Sequence, residues 1–325
     1  MFMRDDVQPI PHIPQLSVVV ALCNEAGNVQ PLCEQLNSAL QNIQHEIILV
    51  DDGSSDATVE QLSACANAKT TVILFRRNHG QSSALQAGID LAKGKYIVTM
   101  DGDLQNDASD IPQMLALAVT GDWDVVAGRR VNRQDKIVSR KIPSKLANWL
   151  IRNLTGVRLS DYGCSLRIYK ANIAKDLDLY GELHRFIPVL ASMEGARMTE
   201  MDVKHHARVN GKSKYGIFRT FRVVTDLILM LFFQNYLQRP MHFFGIIGLG
   251  SFTLGVLVNA YLLVEKLIGN DIGHRPLLLL GVLLLFLGIQ FITIGILMDL
   301  GMRTYYESQG KKPYRIKEIY TGADE

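Results

Sequence analysis

Two carboxylates separated by one glycine stand directly after an apolar run, in the segment Asp101-Gly102-Asp103-Leu104-Gln105. Divalent cations such as Mg²⁺ prefer oxygen ligands in proteins and usually keep some coordination positions for substrate phosphate. The two side chains can therefore hold one hard cation together with a diphosphate. A solvated acidic turn has the same composition, so this segment alone leaves both interpretations open.

A second acidic segment, VDDGSSD at residues 50–56, also follows an apolar run. Its carboxylates can accept hydrogen bonds from a nucleobase N–H or from ribose hydroxyls. Asn24-Glu25, just after the first apolar run, is expected to join them. Asp51 and Asp52 could instead cap the helix that follows. The Asp-x-Asp segment one strand–helix unit further along favours a nucleotide pocket over that alternative.

Short apolar runs alternate with segments of helical spacing through the first part of the chain. This alternation predicts right-handed βαβ units and a mostly parallel sheet, that is, an α/β fold. Ligands bind such sheets beyond the carboxyl ends of the strands, so the acidic segments should meet at one edge. The predicted strands are 16–22, 47–50, 71–75, 96–100 and 125–126, and the predicted helices include 27–40, one after Asp56, and 81–91.

Two stretches near the C-terminus, 243–264 and 277–298, carry no formally charged residue. Each is longer than the roughly 20 residues needed to cross the hydrocarbon core of a bilayer, so two transmembrane helices are predicted. Basic residues flank the pair on both outer sides, whereas the connection 265–276 is nearly charge-balanced. Because basic flanks stay on the cytoplasmic side, both termini are expected inside.

The segment before the first span has Arg219, Arg222 and Asp226 at one end and an apolar run, 227–233, at the other. This pattern predicts an amphipathic helix lying in the membrane interface; a third span is the alternative. The predicted organisation is an α/β domain at 1–215, the interfacial helix at 216–240, two spans within 241–300, and a cytoplasmic tail at 301–325.

An ordered set of motifs resembles a known family: ALCNEAGN (21–28), VDDGSSD (50–56), NHGQSSALQAG (78–88), MDGDLQ (100–105) and GRR (128–130). Together they are similar to the GT-A fold, a Rossmann-like α/β fold, of family 2 glycosyltransferases. RVNGKSKYG (208–216) and the two spans resemble the polyprenyl-phosphate branch of that family. Within this branch the resemblance is strongest to bactoprenol glucosyltransferases with two transmembrane helices.

The resemblance implies a role for each matching position. It places Asp101, Asp103 and Gln105 at a divalent metal, Mg²⁺ or Mn²⁺, and at the diphosphate, with Asp103 among the catalytic residues. Two further groups follow: Glu25, Asp52, Gln81, Asp101 and Arg129 for the nucleotide-sugar donor, and Arg140, Ser144, Arg208 and Lys214 for the acceptor phosphate. Gly102 stands where alanine is commoner, a difference expected to change little.

Asp161, in SDYGCSLR (160–167), is the candidate catalytic base. A structural loop carboxylate is the competing interpretation. A phosphate monoester has a second pKa of about 6, so the acceptor is already largely a dianion and needs positioning more than deprotonation.

The expected reaction is an inverting transfer of a hexose from a nucleotide-sugar to undecaprenyl or another polyprenyl phosphate at the inner membrane. Glucose from UDP-glucose is the first expectation, for a lipid-linked sugar used in cell-envelope glycosylation. Mannose, N-acetylated sugars and formylated aminoarabinose stay open. Small residues in both spans permit close helix contacts, so a homo-oligomer is compatible with the sequence.

Three other classes of protein fit less well. A nucleic-acid-binding protein usually has a concentrated basic face, and the formal net charge here is only +2. A processive polysaccharide synthase carries a QxxRW segment, which neither Trp123 nor Trp149 provides. An inactive membrane scaffold would not need the carboxylates of Asp52, Asp101 and Asp103.

Overall fold

The chain consists of two units, Met1–Ile228 and Leu229–Glu325. The structure is a computed structural model that describes residues 13–131, 151–207, 218–236, 239–273 and 275–309. All four residues assigned to the acceptor phosphate lie outside these ranges: Arg140, Ser144, Arg208 and Lys214.

Strands and helices alternate along the first part of the N-terminal unit, as the sequence predicts. The elements are β1 (Leu16–Leu22), α1 (Ala26–Ala39), β2 (His45–Asp51), α2 (Thr58–Cys65), β3 (Thr70–Leu74), α3 (Gln81–Leu91), β4 (Tyr96–Asp101), α4 (Ile111–Thr120), β5 (Val125–Arg130), α5 (151–155), β6 (Arg167–Lys170), α6 (Ala171–Lys175), α7 (Ile187–Met193) and β7 (Met198–Val203), with 3₁₀ turns at Ala108–Asp110 and Leu183–Phe186.

The seven strands form one sheet in the order β3-β2-β1-β4-β6-β5-β7. Strands β1 to β4 are parallel to one another, and β7 is parallel to β5. The fold class predicted from the sequence is therefore confirmed. Two strands were not predicted, β6 and β7. Strand β6 runs antiparallel to both β4 and β5. Its reversed direction brings the residues before Arg167 to the edge at which β4 ends.

The central strands β1, β2 and β4 form because many of their residues are β-branched or leucine and are buried in the core. In β1, the leucines and valines are all buried. Helix α3 lies close to this strand because its Gly88 has no side chain; a Cβ there would overlap the side chain of Val19. This close packing fixes the beginning of α3, and with it Gln81, beside the strand ends.

Three long helices follow the sheet: α8 (Phe218–Tyr236), α9 (Pro240–Leu267) and α10 (Pro276–Gln309). Helices α9 and α10 are long and apolar enough to cross a membrane. Only 17% and 11% of the residues in their most apolar stretches are buried, whereas the core helix of a soluble protein would be mostly buried. The predicted spans, 243–264 and 277–298, lie within these two helices.

Helices α9 and α10 form an antiparallel hairpin that depends on glycine. A Cβ at Gly248 would lie 2.8 Å from the carbonyl oxygen of Gly288, and one at Gly255 would lie 2.8 Å from the backbone nitrogen of Leu285. Small residues at such positions allow two helix backbones to approach closely in a membrane.

Candidate active site

The carboxyl ends of β1, β2 and β4 lie side by side at one edge of the sheet. In the strand register, Leu22 pairs with Asp51 and Ala21 pairs with Asp101. The loop before β6 reaches the same edge because Arg167 pairs with Thr99 of β4. The structure therefore brings together Asn24-Glu25, the VDDGSSD segment and the Asp-x-Asp segment, as the parallel-sheet argument predicts.

The first two loops are joined by hydrogen bonds. The backbone N–H of Asn24 donates to Ser54 Oγ at 2.8 Å, and the side-chain oxygen of Asn24 accepts from the N–H of Ser55 at 2.8 Å. The N–H of Glu25 donates to Thr58 Oγ1 at 2.9 Å. Asn24 has a φ of 54°, a left-handed conformation that asparagine tolerates better than most residues. Glu25 is therefore held at the edge by the second acidic loop.

Asp52 is buried and fixes the loop that leads into α3. Its two carboxylate oxygens accept from the backbone N–H groups of His79 at 2.6 Å and Gly80 at 2.9 Å. A carboxylate at the beginning of a helix also interacts favourably with the helix dipole. Gly53 permits this arrangement, because its φ is +67° and a Cβ would overlap the backbone of Arg77. Asp52 therefore positions the loop before α3. Its contact with the nucleoside stays a prediction.

The Asp-x-Asp segment is held by α3 and by its own backbone conformation. Gln81 Nε2 donates to Asp101 Oδ1 at 2.6 Å. Leu104 is buried with a φ of 60°, an uncommon conformation for a residue other than glycine. The N–H of Gln105 donates to Asp103 Oδ1 at 3.2 Å, and its carbonyl accepts from the N–H of His206 at 2.9 Å. The turn after β4 is therefore constrained on both sides.

Asp101 and Asp103 form the pair of groups best suited to a divalent metal. Burial and then the charge of Asp103 raise the pKa of Asp101 to about 6, which is the electrostatic situation that a bound cation relieves. Within the described ranges, no three His, Cys, Asp or Glu side chains are placed to hold a metal together. These residues fit a cation that takes only part of its ligands from the protein and the rest from a diphosphate and water.

Asp161 makes contacts that disfavour the predicted role of base. It forms a bidentate pair with Arg130, at 2.7 Å to Nε and 2.8 Å to Nη2, and accepts from the N–H of Gly163 at 3.0 Å. Burial acts to raise the pKa of Asp161, but the hydrogen bonds and charge of Arg130 outweigh it, so this pKa lies below its usual range. A carboxylate with its oxygens occupied and its pKa lowered is a poor proton acceptor.

Arg129, predicted at the diphosphate, points elsewhere. Its Nε donates to Asp202 Oδ1 at 2.5 Å, and both side chains are about half exposed, at 48% and 54%. The two residues are paired in register across β5 and β7. Because side chains alternate between the faces of a strand, the next residue, Arg130, faces the other way, and its charge acts on Asp101. The structure therefore places the charge of Arg130, and not that of Arg129, beside the Asp-x-Asp segment.

Sequence reasoning also missed Arg167, which is only 3% exposed. Its guanidinium donates to the carbonyls of Tyr162 at 2.6 Å and His184 at 3.2 Å, and its positive charge acts on Asp101. The ring of His184 is in turn hydrogen-bonded to Ser82 Oγ at 2.9 Å. No sequence signal marked this arginine, since its partners are backbone carbonyls of distant segments.

Comparison with known proteins identifies the family of the chain. Residues 17–178 match the family described as glycosyl transferase family 2. Over 98% of its length the chain is 48% identical to a dodecaprenyl-phosphate galacturonate synthase of Rhizobium johnstonii, of which it covers 95%. It is 35% identical, again over 98% of its length and 94% of the relative, to an undecaprenyl-phosphate 4-deoxy-4-formamido-L-arabinose transferase of Pseudomonas savastanoi pv. phaseolicola.

A solved structure shares the fold at low sequence identity. Glucosyl-3-phosphoglycerate synthase from Mycobacterium tuberculosis, crystallised with Mn²⁺, UDP and glucosyl-3-phosphoglycerate, superposes with a TM-score of 0.53 at 15% identity. The match covers 68% of this chain and 80% of that one. From the acidic strand ends, the shared fold and the two full-length relatives, it follows that the chain belongs to glycosyl transferase family 2, in the branch of the polyprenyl-phosphate sugar transferases.

Proposed function

We propose that this enzyme transfers a sugar from a nucleotide-sugar to a polyprenyl phosphate, with inversion at the anomeric carbon. The observation that carries the proposal is the extent of the relationship: 48% identity to a dodecaprenyl-phosphate galacturonate synthase over 98% of the chain. That length includes the acidic strand ends and both long apolar helices. Sequence similarity limited to the residues of the sheet would support a shared fold but not a shared reaction.

The sugar that we propose is galacturonate. The first expectation from sequence, glucose from UDP-glucose, is not supported, because the two full-length relatives are named for galacturonate and for 4-deoxy-4-formamido-L-arabinose. The formylated aminoarabinose weighed as an alternative fits better than glucose. We place galacturonate first because identity to that relative is 48%, against 35% for the formamido-arabinose transferase.

The donor diphosphate is assigned to the end of β4. Asp101 and Asp103 would hold Mg²⁺ or Mn²⁺, which when bound neutralises charge on the departing nucleoside diphosphate. Gln81 keeps the carboxylate of Asp101 in one orientation through its 2.6 Å hydrogen bond. A structural relative was crystallised with Mn²⁺ and UDP, which supports a UDP-sugar as donor. Glu25 and Asp52 are assigned to the nucleoside.

The chemical step is a single displacement. An oxygen of the lipid phosphate forms a bond to the anomeric carbon as the bond from that carbon to the nucleoside diphosphate breaks. The attacking oxygen carries no proton when the phosphate is a dianion, so the step requires no base. Arg130 supplies a fixed positive charge beside the diphosphate, and Asp161 holds that arginine in place through two hydrogen bonds.

Binding of the phosphate group of the acceptor lipid is assigned to four residues that the structure does not describe: Arg140, Ser144, Arg208 and Lys214. Arginine suits this task because its planar guanidinium binds phosphate through two parallel hydrogen bonds. We propose that α8 lies in the membrane interface, that α9 and α10 cross the inner membrane, and that both termini are cytoplasmic. An acceptor with a long apolar chain stays in the bilayer, so the anchored domain meets it by movement in two dimensions.

The test is a panel of radiolabelled donors supplied with polyprenyl phosphate to the full-length protein in detergent. UDP-galacturonate should give a lipid-linked product at least about tenfold faster than UDP-glucose or GDP-mannose, a difference of one well-placed interaction. UDP-4-formamido-arabinose is the second candidate in the panel. Asp103→Asn protein serves as the matched control for background transfer. Turnover of no donor, or transfer to water alone, would refute the proposed function.

A further inference from the structure

The chain directly after β7 lies against the turn that follows the Asp-x-Asp segment. Asn106 and His205 form an isolated antiparallel bridge, and the backbone N–H of His206 donates to the carbonyl oxygen of Gln105 at 2.9 Å. These contacts join two segments that are far apart in the chain. We call the two segments together the clasp; its members are residues 105–107 and 204–206.

One pair of side chains closes the clasp. His206 Nε2 donates to Asp107 Oδ2 at 3.0 Å, and the backbone N–H of Lys204 donates to Asp110 Oδ2 at 2.7 Å. The side chains of His206 and Asp107 are 53% and 22% exposed. A pair with this much access to water contributes little to stability, so we expect the domain to fold without it.

Hydrogen bonds connect the clasp to Asp101. Asn106 is only 4% exposed, and its Nδ2 donates to Ser165 Oγ at 2.7 Å. The hydroxyl of Ser165 in turn hydrogen-bonds the carboxylate of Asp101. Contacts therefore lead without a break from Asp101, through Ser165 and Asn106, to the backbone at His205.

The other end of the clasp leads toward the acceptor. Arg208, assigned above to the acceptor phosphate, follows His206 by two residues. An extended chain advances at most about 3.6 Å per residue, so fixing the backbone at His206 keeps the Cα of Arg208 within about 7 Å of it. When two segments order each other, the first ligand removes part of the ordering cost that the second would meet, and the two ligands bind cooperatively.

We propose that Asp107 and His206 are positioning residues whose contact makes the binding of the donor diphosphate and the binding of the acceptor phosphate cooperative. The inference rests on the proposed function, which puts one ligand at Asp101 and Asp103 and the other at Arg208. Neither member of the pair touches a substrate. Asp107 acts through the turn that carries Asp103, and His206 acts through the segment that leads to Arg208.

The experiment measures this cooperativity at equilibrium. Calorimetry gives the affinity of the full-length protein in detergent for UDP with Mn²⁺, without and with a saturating short-chain polyprenyl phosphate. UDP carries no sugar, so no transfer takes place. In wild type the polyprenyl phosphate should raise the affinity for UDP at least about fivefold, the lower end of coupling between two sites. In His206→Phe, which keeps a planar ring without a hydrogen-bond donor, this increase should disappear, and the affinity for UDP and Mn²⁺ alone should stay within about twofold of wild type.

Three further variants make the result specific. His206→Gln places an amide N–H near the position of the imidazole Nε2 and should keep the cooperativity. Asp107→Ser still caps the 3₁₀ turn, where Asp107 now accepts from the N–H of Ser109 at 2.9 Å, but is too short to reach His206. It should behave as His206→Phe does, and it decides the matter if His206→Phe does not fold. Asp122→Asn is the matched control, because it weakens an exposed ion pair with Arg197 before the start of β5, and it should keep the wild-type value.

Two outcomes would overturn the inference and leave the proposed function intact. One is independent binding of the two ligands to wild type, and the other is undiminished cooperativity in both His206→Phe and Asp107→Ser. A wild-type protein that binds UDP with Mn²⁺ but no polyprenyl phosphate would overturn the inference and the proposed function together.

Discussion

Replacing Asp161 by asparagine separates a positioning role from a catalytic one. If Asp161 serves to hold Arg130, its loss destabilises the protein and disturbs the diphosphate site together. If it is a base, its loss lowers the rate of a protein that is otherwise as stable as wild type. Asparagine has nearly the same shape, so the substitution removes the charge and one acceptor without leaving a cavity.

The expected loss of stability follows from the burial of the pair. The side chains of Arg130 and Asp161 are only 11% and 12% exposed, and removing one partner of a buried ion pair costs about 3–5 kcal/mol. We expect about 3 kcal/mol, because asparagine keeps one oxygen that can accept from Arg130. For a unit of the size of Met1–Ile228, this corresponds to a fall in Tm of about 6–12 °C.

At neutral pH, the stability contributed by Asp161 does not depend on the exact pH of the assay. The pKa of Asp161 is lowered in the folded protein. A carboxylate with a lowered pKa contributes stability that is fully present above its unfolded value, about 3.9, and is lost as the pH falls through the folded value. At neutral pH the whole contribution of the pair is therefore available to be removed.

The assay combines thermal unfolding of the full-length protein with initial transfer rates. Asp202→Asn is the matched control, because it breaks the pair with Arg129, which is about half exposed, and should leave Tm and rate unchanged. In a double-mutant cycle, Arg130→Gln with Asp161→Asn should lose less stability than the sum of the two single losses. A wild-type Tm for Asp161→Asn with a rate reduced a hundredfold or more, the scale of general-base catalysis, would refute the positioning role.

Four other predictions follow from the site and the membrane segment. Asp103→Asn should abolish metal-dependent transfer in a folded, membrane-bound protein; more than roughly a tenth of the wild-type rate, still blocked by chelator, would place the metal elsewhere. Gln81→Leu should raise the Mn²⁺ concentration for half-maximal activity about 10–100-fold, because Asp101 loses its donor; an unchanged metal titration would contradict this. Arg208→Lys should raise KM for polyprenyl phosphate while donor KM stays nearly constant, since lysine keeps the charge but loses the planar fork; kinetics equal to wild type would remove Arg208 from the site. In intact cells, an impermeant thiol reagent should label single cysteines within 265–276 on a cysteine-free background, and labelling at position 310 would exclude the two-span topology.

The sequence predicted the parts of the fold that depend on local patterns. Apolar runs followed by Asp51 and Asp101 marked the ends of β2 and β4, and the parallel-sheet rule placed those ends at one edge. The antiparallel β6 was missed because it has four residues, Arg167–Lys170, too few to show an alternating pattern. Its direction is set by pairing with β4 and β5, strands distant in sequence.

The candidate site is least predictable where a side-chain direction or a close contact decides the geometry. Arg129 and Arg130 are adjacent in β5, and in a strand a step of one residue reverses the face, so the motif alone does not tell which arginine lies near Asp101. Glycine in place of alanine at position 102 was expected to change little. The structure shows that a Cβ at Gly102 would lie 2.7 Å from Cγ of the buried Leu22, so alanine there requires Leu22 to move. The four predicted acceptor residues stay predictions.

Charge explains why carboxylates at one sheet edge can have different tasks. Burial favours the neutral form of every carboxylate, and the neighbours then decide the direction of the pKa. Asp161 has the guanidinium of Arg130 on both oxygens, so its pKa is lowered and its charge is already balanced. For Asp101, burial and then the charge of Asp103 raise the pKa to about 6, and the charges of Arg130 and Arg167 offset this only in part. A divalent cation gains most where negative charge is poorly balanced, which is at Asp101 and Asp103. By the same reasoning, Asp161 holds Arg130 and does not bind the metal, because a metal at Asp161 would have to displace the guanidinium that occupies both of its oxygens.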